Sequence, residues 1–426
     1  MASAKELIRQ IQQGDYDKAF EKLYGASRVE AQRQRYIQAV EAFGQLYGAD
    51  RETAIYSAPG RTEIGGNHVD HNNGVVMAAA VDLDIIAVVS KNDENIVRVK
   101  SQGFEGQDVV DLSVMEPQAR EAGRSSALVR GVAAGILQRG GKVGGFDCYT
   151  TNAVLRGSGL SSSAAFEVVM GAVFRGEYGS DFIDQVELAK IGQYAENVFF
   201  GKPCGLMDQM ASSVGNIITI DFADPAAPVV EPVEVDFSKA GLALCILDSG
   251  ADHADLTDEY AAIPADCRAV AAVCGGDVLR NVPFETFLAH IPACRKACGD
   301  RAVLRAFHVY ADNQRVEKQV AALRAGDFDA FLALVNESGR SSWEYLQNVI
   351  PAGYTKHQEV AVTIAAAKHL LAGEGAVRVH GGGFAGTVQA FVPLARLDAF
   401  KAGIEAIIGP GRCHVLSIRP EGGAVL

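Results

Sequence analysis

The sequence lacks any apolar run long enough to cross a membrane, because no stretch approaches the roughly 20 residues that a spanning helix needs. Its first residues also lack an apolar run of signal-peptide length, so we expect no leader. Positive charge is scarce, since 39 Lys and Arg against 52 Asp and Glu give a net charge of −13. This balance argues against nucleic acid or a membrane as a partner, but an anionic nucleotide can still bind where the site is locally positive.

Cysteine pairs at zinc-binding spacing are also absent. The eight cysteines are scattered, and even the closest pair, Cys294 and Cys298, does not have that spacing. We therefore expect reduced thiols and a cytoplasmic protein. The 426 residues, 48% of them apolar and 21% charged, are typical of a globular protein with two domains.

The most informative stretch is Gly- and Ser-rich, at residues 156–167, between a predicted strand (146–154) and a predicted buried helix (164–178). Gly157 and Gly159 let the backbone turn tightly and approach a ligand. The helix start favours an anion, and three consecutive serines add hydroxyls for phosphate oxygens and magnesium. An N-cap would explain one serine but not three, and no Gly-Lys-Ser/Thr follows as in a Walker A loop. The stretch therefore predicts phosphate binding.

Two other Gly-rich stretches flank this loop in the sequence. Residues 58–74 hold Arg61, Asp70 and two histidines among glycines, a composition that suits a small polar ligand better than a core. A metal role for the histidines is less favoured than sugar or phosphate contact. Residues 379–387 precede an apolar strand, and they either contact phosphate or form a tight turn.

A third polar stretch, residues 195–210, contains Asp208 amid Leu, Met and Cys. This carboxylate is either the N-cap of the helix that follows or a base beside a ligand pocket. Elsewhere the pattern predicts two short helices within residues 1–28 and a longer one ending at Gly48. It also predicts a hairpin that joins the apolar run 75–90 to residues 96–100.

Together these stretches resemble the GHMP family of small-molecule kinases, which includes galactokinase, homoserine kinase and mevalonate kinase. Residues 159–167 resemble the family's Gly-Leu-Ser-Ser-Ser-Ala-Ala signature, and residues 381–387 resemble its C-terminal Gly-rich motif. Three further segments are similar to the galactokinase branch: 60–72, 205–209, and His253 with Tyr260.

The resemblance implies a two-domain α/β fold with the active site in the cleft between the domains. We expect a helical extension at 1–40 and a mixed α/β domain at 41–230. A ferredoxin-like α+β domain should follow at 231–426.

The resemblance also implies a role for each matched residue. Asp208 is the expected base and Arg61 the stabiliser of its charge and of the transferring phosphoryl group. The expected sugar-binding residues are Asn67, His68, Asp70, Gly205 and Tyr260. The expected ATP-binding residues are Gly157, Ser158, Gly159, Leu160, Ser161, Ser162, Ser163 and Ala164, and the expected Mg²⁺ ligands are Ser163 and Glu196.

The activity implied is ATP-dependent phosphorylation of a sugar at its anomeric hydroxyl, with galactose as the first choice. Asn67 stands where the family carries a Glu that receives the sugar's C6 hydroxyl. A 1-kinase for galacturonate or L-arabinose is therefore a second hypothesis, and a catalytically silent sugar sensor is a third.

Overall fold

The computed structural model describes residues 2–155, 159–251 and 256–426. Gly157, Ser158 and His253, which the sequence singled out, lie outside the described residues. The helices are α1 Ala4–Gln13, α2 Asp17–Tyr24, α3 Val29–Tyr47, α4 Ser125–Gln138, α5 Ser162–Tyr178, α6 Gln185–Tyr194, α7 Met207–Val214, α8 Thr257–Val273, α9 Phe284–Cys298, α10 Asp300–Ala325, α11 Phe328–Ser341, α12 Glu359–Leu371 and α13 Leu397–Ile408. The strands are β1 Ala2–Ser3, β2 Glu52–Gly65, β3 Val75–Lys91, β4 Ile96–Ser101, β5 Asp108–Asp111, β6 Phe146–Asn152, β7 Ile217–Asp221, β8 Val229–Pro232, β9 Leu242–Asp248, β10 Ala376–Val379, β11 Thr387–Pro393, β12 Cys413–Leu416 and β13 Ala424–Val425.

A large mixed sheet follows the order β1-β2-β3-β6-β4-β5, with β13 beside β2 and with β7 and β8 extending from β3. The predicted hairpin between β3 and β4 is wrong, because β6 lies between them. β6 pairs antiparallel with β3 and parallel with β4. Phe146 and Cys148 of β6 are fully buried, and pairing with β3 and β4 provides hydrogen-bond partners on both edges of this buried strand.

Three helices, α4, α5 and α6, cover this sheet and share one apolar core with it. Small residues near the start of α5 let the helix lie close to β2. Gly60 of β2 is in close contact there, because a Cβ at Gly60 would lie 2.7 Å from the carbonyl oxygen of Leu160. The first turn of α5 is therefore packed directly against the middle of β2.

A second sheet follows the antiparallel order β10-β11-β9-β12. Alternate residues of β9 face opposite sides, as a period of two requires. Ala243, Cys245 and Leu247 pack with α12 and α13, whereas Leu242 and Leu244 join a core with residues of α10 and α11. This confirms the α+β expectation for the second half of the chain.

The N-terminal helices form where the sequence predicted them, and Gly48 ends α3. Their apolar faces pack on Ile55, Ile86 and Val88 of the large sheet. α3 runs without a break through residue 40, and β13 returns to pair with β2. The boundaries at 40 and 230 stay predictions. Within the described part of the chain, no helix combines the length and apolar character needed to cross a bilayer.

Candidate active site

The predicted phosphate loop lies at the N-terminus of α5. Ser162, Ser163 and Ala164 form its first turn, and the N-cap residue Ser161 makes no side-chain cap hydrogen bond. The first backbone N–H groups of a helix have no partner within the helix. With the positive end of the helix dipole, they form an anion-binding site.

Arg61 and Asp208, the predicted catalytic pair, are brought together beside this loop. Nε and Nη2 of Arg61 lie 2.7 and 2.6 Å from Oδ1 of Asp208. Nη1 of Arg61 donates to the carbonyl of Gly159, and its backbone N–H donates to the carbonyl of Leu160 at 2.9 Å. The guanidinium therefore links Asp208 to the predicted phosphate loop.

Asp208 lies in the first turn of α7, whose N-cap is Leu206. The N-cap interpretation of Asp208 is therefore wrong. Its carboxylate instead accepts hydrogen bonds from Arg61 at Oδ1 and from Ser161 Oγ at Oδ2, the latter at 2.7 Å. Burial raises the pKa of Asp208, but the charge of Arg61 and these hydrogen bonds outweigh burial, so the pKa lies below its ordinary value. The side chain is 31% exposed, which leaves the ionised carboxylate accessible.

Glu196, the predicted metal ligand, belongs to a buried polar cluster behind Asp208. Gln209 Nε2 donates to Glu196 Oε2 and to Glu167 Oε2, both at 2.9 Å. Burial, and then the charge of Glu196, raise the pKa of Glu167 well above its ordinary value. Lys202 Nζ lies 3.6 Å from Glu196 Oε1. The sequence analysis missed Glu167 and Gln209, although both lie in the segments that carry the resemblance.

Among the predicted sugar residues, Asp70 and Gly205 lie in contact. A Cβ at Gly205 would run into Asp70 Oδ2, so glycine is required for this approach. His68 Nε2 lies 2.9 Å from the carbonyl oxygen of Gly382, in the C-terminal Gly-rich stretch. Burial lowers the pKa of His68 to about 4, so this imidazole is neutral near pH 7.

Tyr260 approaches the same Gly-rich stretch from α8. Its hydroxyl donates to the carbonyl of Gly383 at 2.7 Å, and its ring meets Phe384 edge-on with centroids 5.5 Å apart. Burial raises the pKa of Tyr260 to about 12. The structure thus brings two predicted sugar residues, His68 and Tyr260, onto adjacent carbonyls of one loop.

Asn67, which the resemblance assigns to the C6 hydroxyl of the sugar, is bonded to other residues of the protein. Its side chain is fully buried, with Nδ2 donating to the carbonyl of Gly381 at 2.6 Å and to Glu63 Oε1 at 3.1 Å. Its Oδ1 accepts from Asn348 Nδ2 at 2.8 Å. Since these contacts use both ends of the amide, Asn67 links the signature segment to the C-terminal Gly-rich stretch.

Beside the first turn of α5 lies a pocket of about 470 Å³ that the sequence analysis did not find. Its walls include Phe104, Phe166 and Phe200, together with Gln102 and Gln107. Phe104, Gln102 and Gln107 come from a segment with no motif of its own, and Phe166 and Phe200 join them only once the chain is folded. An aromatic wall with a few amides is typical of a site for a planar heterocycle.

Comparison with known proteins identifies the family of this chain. A family model described as the galactokinase galactose-binding signature matches residues 41–91, and one described as the GHMP kinases N-terminal domain matches residues 127–216. The chain is 32% identical to a galactokinase of Streptomyces coelicolor, over 90% of this chain and 96% of the relative. It is 31% identical to a galactokinase of Glaesserella parasuis, over 84% of this chain and 90% of the relative.

Solved structures support the fold. The chain is similar to Lactococcus lactis galactokinase complexed with galactose, with a TM-score of 0.77 at 24% identity, over 91% of this chain and 98% of that one. It is also similar to the mevalonate kinase of Methanococcus jannaschii, with a TM-score of 0.62 at 12% identity, over 86% and 98% of the two chains. These likenesses confirm the predicted two-domain GHMP kinase fold.

Proposed function

Because the chain belongs to the galactokinase family, we propose that it transfers the γ-phosphoryl group of ATP to the anomeric hydroxyl of galactose, which gives galactose 1-phosphate. The observation that carries this proposal is the Arg61–Asp208 pair beside the N-terminus of α5, with Nε and Oδ1 2.7 Å apart. Phosphoryl transfer depends on positioning and on neutralising charge, and a cation paired with a carboxylate at an anion site supplies both.

In this proposal ATP lies along the start of α5. Its phosphates meet the unbonded N–H groups of the first turn, which Ser162, Ser163 and Ala164 form. Its base enters the adjoining pocket of about 470 Å³, where Phe104 and Phe200 offer stacking faces and Gln102 offers hydrogen bonds. The pocket and the helix start share Ser162 and Ser163, so one extended ligand can occupy both.

Asp208 acts as the base that accepts the proton of the anomeric hydroxyl as the phosphoryl group is transferred. Its lowered pKa keeps it ionised near pH 7, so it is ready to accept a hydrogen bond from the hydroxyl. Arg61 holds the carboxylate in place and carries positive charge close to the reacting oxygens. Such an electrostatic contribution is larger where water is excluded from the site.

Ser163 and Glu196 would hold Mg²⁺. Hydroxyl and carboxylate oxygens suit this hard cation, which in nucleotide sites takes few protein ligands and completes its shell with phosphates and water. One hydroxyl and one carboxylate from the protein fit that pattern. When bound, the ion neutralises phosphate charge, and Gln209 holds Glu196 in place from behind.

Asp70 and Gly205 form one part of the sugar site. The missing side chain at Gly205 makes room beside the Asp70 carboxylate, which accepts hydrogen bonds from ring hydroxyls. The C-terminal Gly-rich stretch forms another wall of the site, which His68 and Tyr260 hold through the carbonyls of Gly382 and Gly383. Asn67 acts from behind this wall, since its amide is buried.

Galactose is favoured over galacturonate and L-arabinose, because the named relatives are galactokinases. The case for an altered sugar was that Asn67 replaces an acidic contact to C6. The burial of Asn67 speaks against that case. A silent sensor is disfavoured by the intact pair of Arg61 and Asp208 and by the loop beside them.

The test is a coupled assay for ADP release with ATP, Mg²⁺ and each of the three sugars, with product identified by mass and by ³¹P spectroscopy. We expect turnover with galactose and an anomeric phosphate as the product. Faster turnover with galacturonate or L-arabinose would overturn the substrate assignment. Sugar binding without ADP release from any of the three would favour the sensor.

A further inference from the structure

The family resemblance assigned Ser161 to ATP, but in the structure its hydroxyl contacts the carboxylate of Asp208. We propose that Ser161 is a positioning residue for the base, which orients Asp208 through a hydrogen bond and leaves the phosphates to its neighbours. This inference rests on the proposed role of Asp208. The Oγ of Ser161 donates to Oδ2 of Asp208 at 2.7 Å.

The backbone of Ser161 explains why its hydroxyl points at the base. Ser161 has φ 55° and ψ 69°, the left-handed region that residues with a Cβ rarely adopt. Such a conformation costs free energy and persists where the surroundings determine it, often at functional sites. A serine N-cap ordinarily accepts a hydrogen bond from an N–H of the first turn. Ser161 makes no such bond, so its conformation leaves the hydroxyl free for Asp208.

This arrangement has two consequences at one residue. The N–H groups that Ser161 does not cap remain available for an anion. The hydroxyl fixes one oxygen of Asp208 while Arg61 fixes the other, so the carboxylate cannot rotate about its bond to Cβ. A base held at both oxygens presents its remaining lone pairs in one direction, as efficient proton transfer requires.

The hydrogen bonds from Arg61 and Ser161 to Asp208 also join the base to the nucleotide loop. Arg61 donates to the carbonyls of Gly159 and Leu160, and Ser161 is the next residue of that loop. Asp208 therefore keeps its orientation only while the loop keeps its conformation. The other charged groups acting on Asp208 are Lys202, which lowers its pKa, and Glu167 on α5.

The experiment compares Ser161→Ala with Ser161→Gly. Both remove the hydroxyl, but only glycine relieves the left-handed backbone. We expect kcat to fall about tenfold or more in both variants, the size expected for losing a hydrogen bond to a charged group. The acid limb of the kcat profile should move to higher pH, because a donor that favours the ionised carboxylate is gone. ATP affinity by calorimetry should change by less than about threefold, which corresponds to under ~0.7 kcal/mol.

Ser212→Ala is the matched control. Ser212 lies one turn after Asp208 on α7, and its hydroxyl donates to the carbonyl of Pro59 at 2.6 Å. Losing this bond should lower the melting temperature without moving the pH profile. If Ser161→Ala weakened ATP binding at least about tenfold while kcat at saturation held, Ser161 would be a phosphate ligand and the proposal would be wrong. If Ser161→Gly kept wild-type kcat and pH profile, the backbone and not the hydroxyl would matter, which also overturns it.

Asp208→Asn separates this inference from the proposed function. A folded Asp208→Asn variant with wild-type kcat would reject Asp208 as the base, and the role of Ser161 would fall with it. If Asp208→Asn is inactive while Ser161→Ala keeps the wild-type kcat and pH profile, only the positioning inference fails.

Discussion

Two aspartates, Asp84 and Asp208, are both held by arginine in this protein, yet their surroundings differ. Asp84 of β3 is fully buried, and Arg35, Arg419 and Tyr24 lie 2.5–2.9 Å from its carboxylate oxygens. Ser57 also donates to it. Asp208 has one arginine and one serine, and its side chain is 31% exposed.

The difference shows what distinguishes a structural carboxylate from a reactive one. In both, burial alone raises the pKa, and partners bring it below the ordinary value. Asp84 has four side-chain partners, so it has no room for a substrate. Asp208 has partners enough to stay ionised and an open side from which a hydroxyl can approach. Exposure, and not the direction of the pKa shift, separates the two roles.

The largest effect should follow from Asp208→Asn. The amide cannot accept a proton as the carboxylate does, so we expect kcat to fall by about three orders of magnitude, within the range for general base catalysis. The melting temperature should fall less than in Asp84→Asn, because this side chain does not cap the helix and pairs with one arginine from a partly exposed position. Steady-state kinetics and thermal melting measure the two effects. A large loss of stability with retained kcat would show that Asp208 is a structural carboxylate and not the base.

Asp84→Asn should show the opposite pattern. It leaves the buried Arg419 and the partly buried Arg35 without their anion, and breaking a buried pair in this way costs about 3–5 kcal/mol. Denaturant unfolding should show this loss, while the kcat of the remaining folded enzyme stays near wild type.

The surface pair Lys5–Asp50, 65% and 84% exposed, provides the control for Asp84→Asn. Asp50→Asn should cost under about 1 kcal/mol. If Asp84→Asn and Asp50→Asn lower the free energy of unfolding equally, the cluster around Asp84 does not stabilise the fold.

Gly205→Ala should have a smaller effect that is confined to the sugar. The added methyl group meets the end of the Asp70 side chain, which can rotate away at little cost in stability. Rotation moves the carboxylate from the ring hydroxyls, so KM for galactose should rise about tenfold, or ~1.4 kcal/mol. ATP affinity should hold. An unchanged KM would remove Asp70 and Gly205 from the sugar site.

The smallest effect is on the pH dependence of the free energy of unfolding, where His68 should behave differently from the two aspartates. Both aspartates have a lowered pKa, so their contribution to stability is present above about pH 4 and is lost only in stronger acid. Burial lowers the pKa of His68 from 6.5 to about 4. Between these values the unfolded chain binds a proton that the folded chain does not, so the free energy of unfolding should decrease as pH falls through that window.

His68→Gln should reduce this slope, because the amide does not titrate and can still donate to Gly382. His357→Gln, at a side chain that is 76% exposed, is the control and should leave the slope as it is. Denaturant unfolding at several pH values measures both. An equal slope in His68→Gln and wild type would exclude His68 as its source.

Local signals explain which parts of the fold the sequence predicted. Helix α3 follows from the spacing of its apolar residues and from Gly48, and α5 follows from the Gly- and Ser-rich loop before it. The β3–β4 hairpin was wrong because the turn signal at 92–95 is local. The choice of β6 as their common neighbour depends on pairing with residues far along the chain, from 49 positions away (Val97 with Phe146) to 67 (Ile85 with Asn152).

The sequence by itself determined the chemistry of the site: which segments carry glycine, serine, arginine and carboxylate, and the order in which they occur. Only the tertiary structure decided how these groups are used. Long-range packing brought the Ser161 hydroxyl to Asp208 and buried Asn67 against the C-terminal Gly-rich stretch. It also formed the pocket around Phe104. The physical reason is that side-chain type is local, whereas burial and hydrogen-bond partners depend on residues that meet only after the two sheets and their helices have packed.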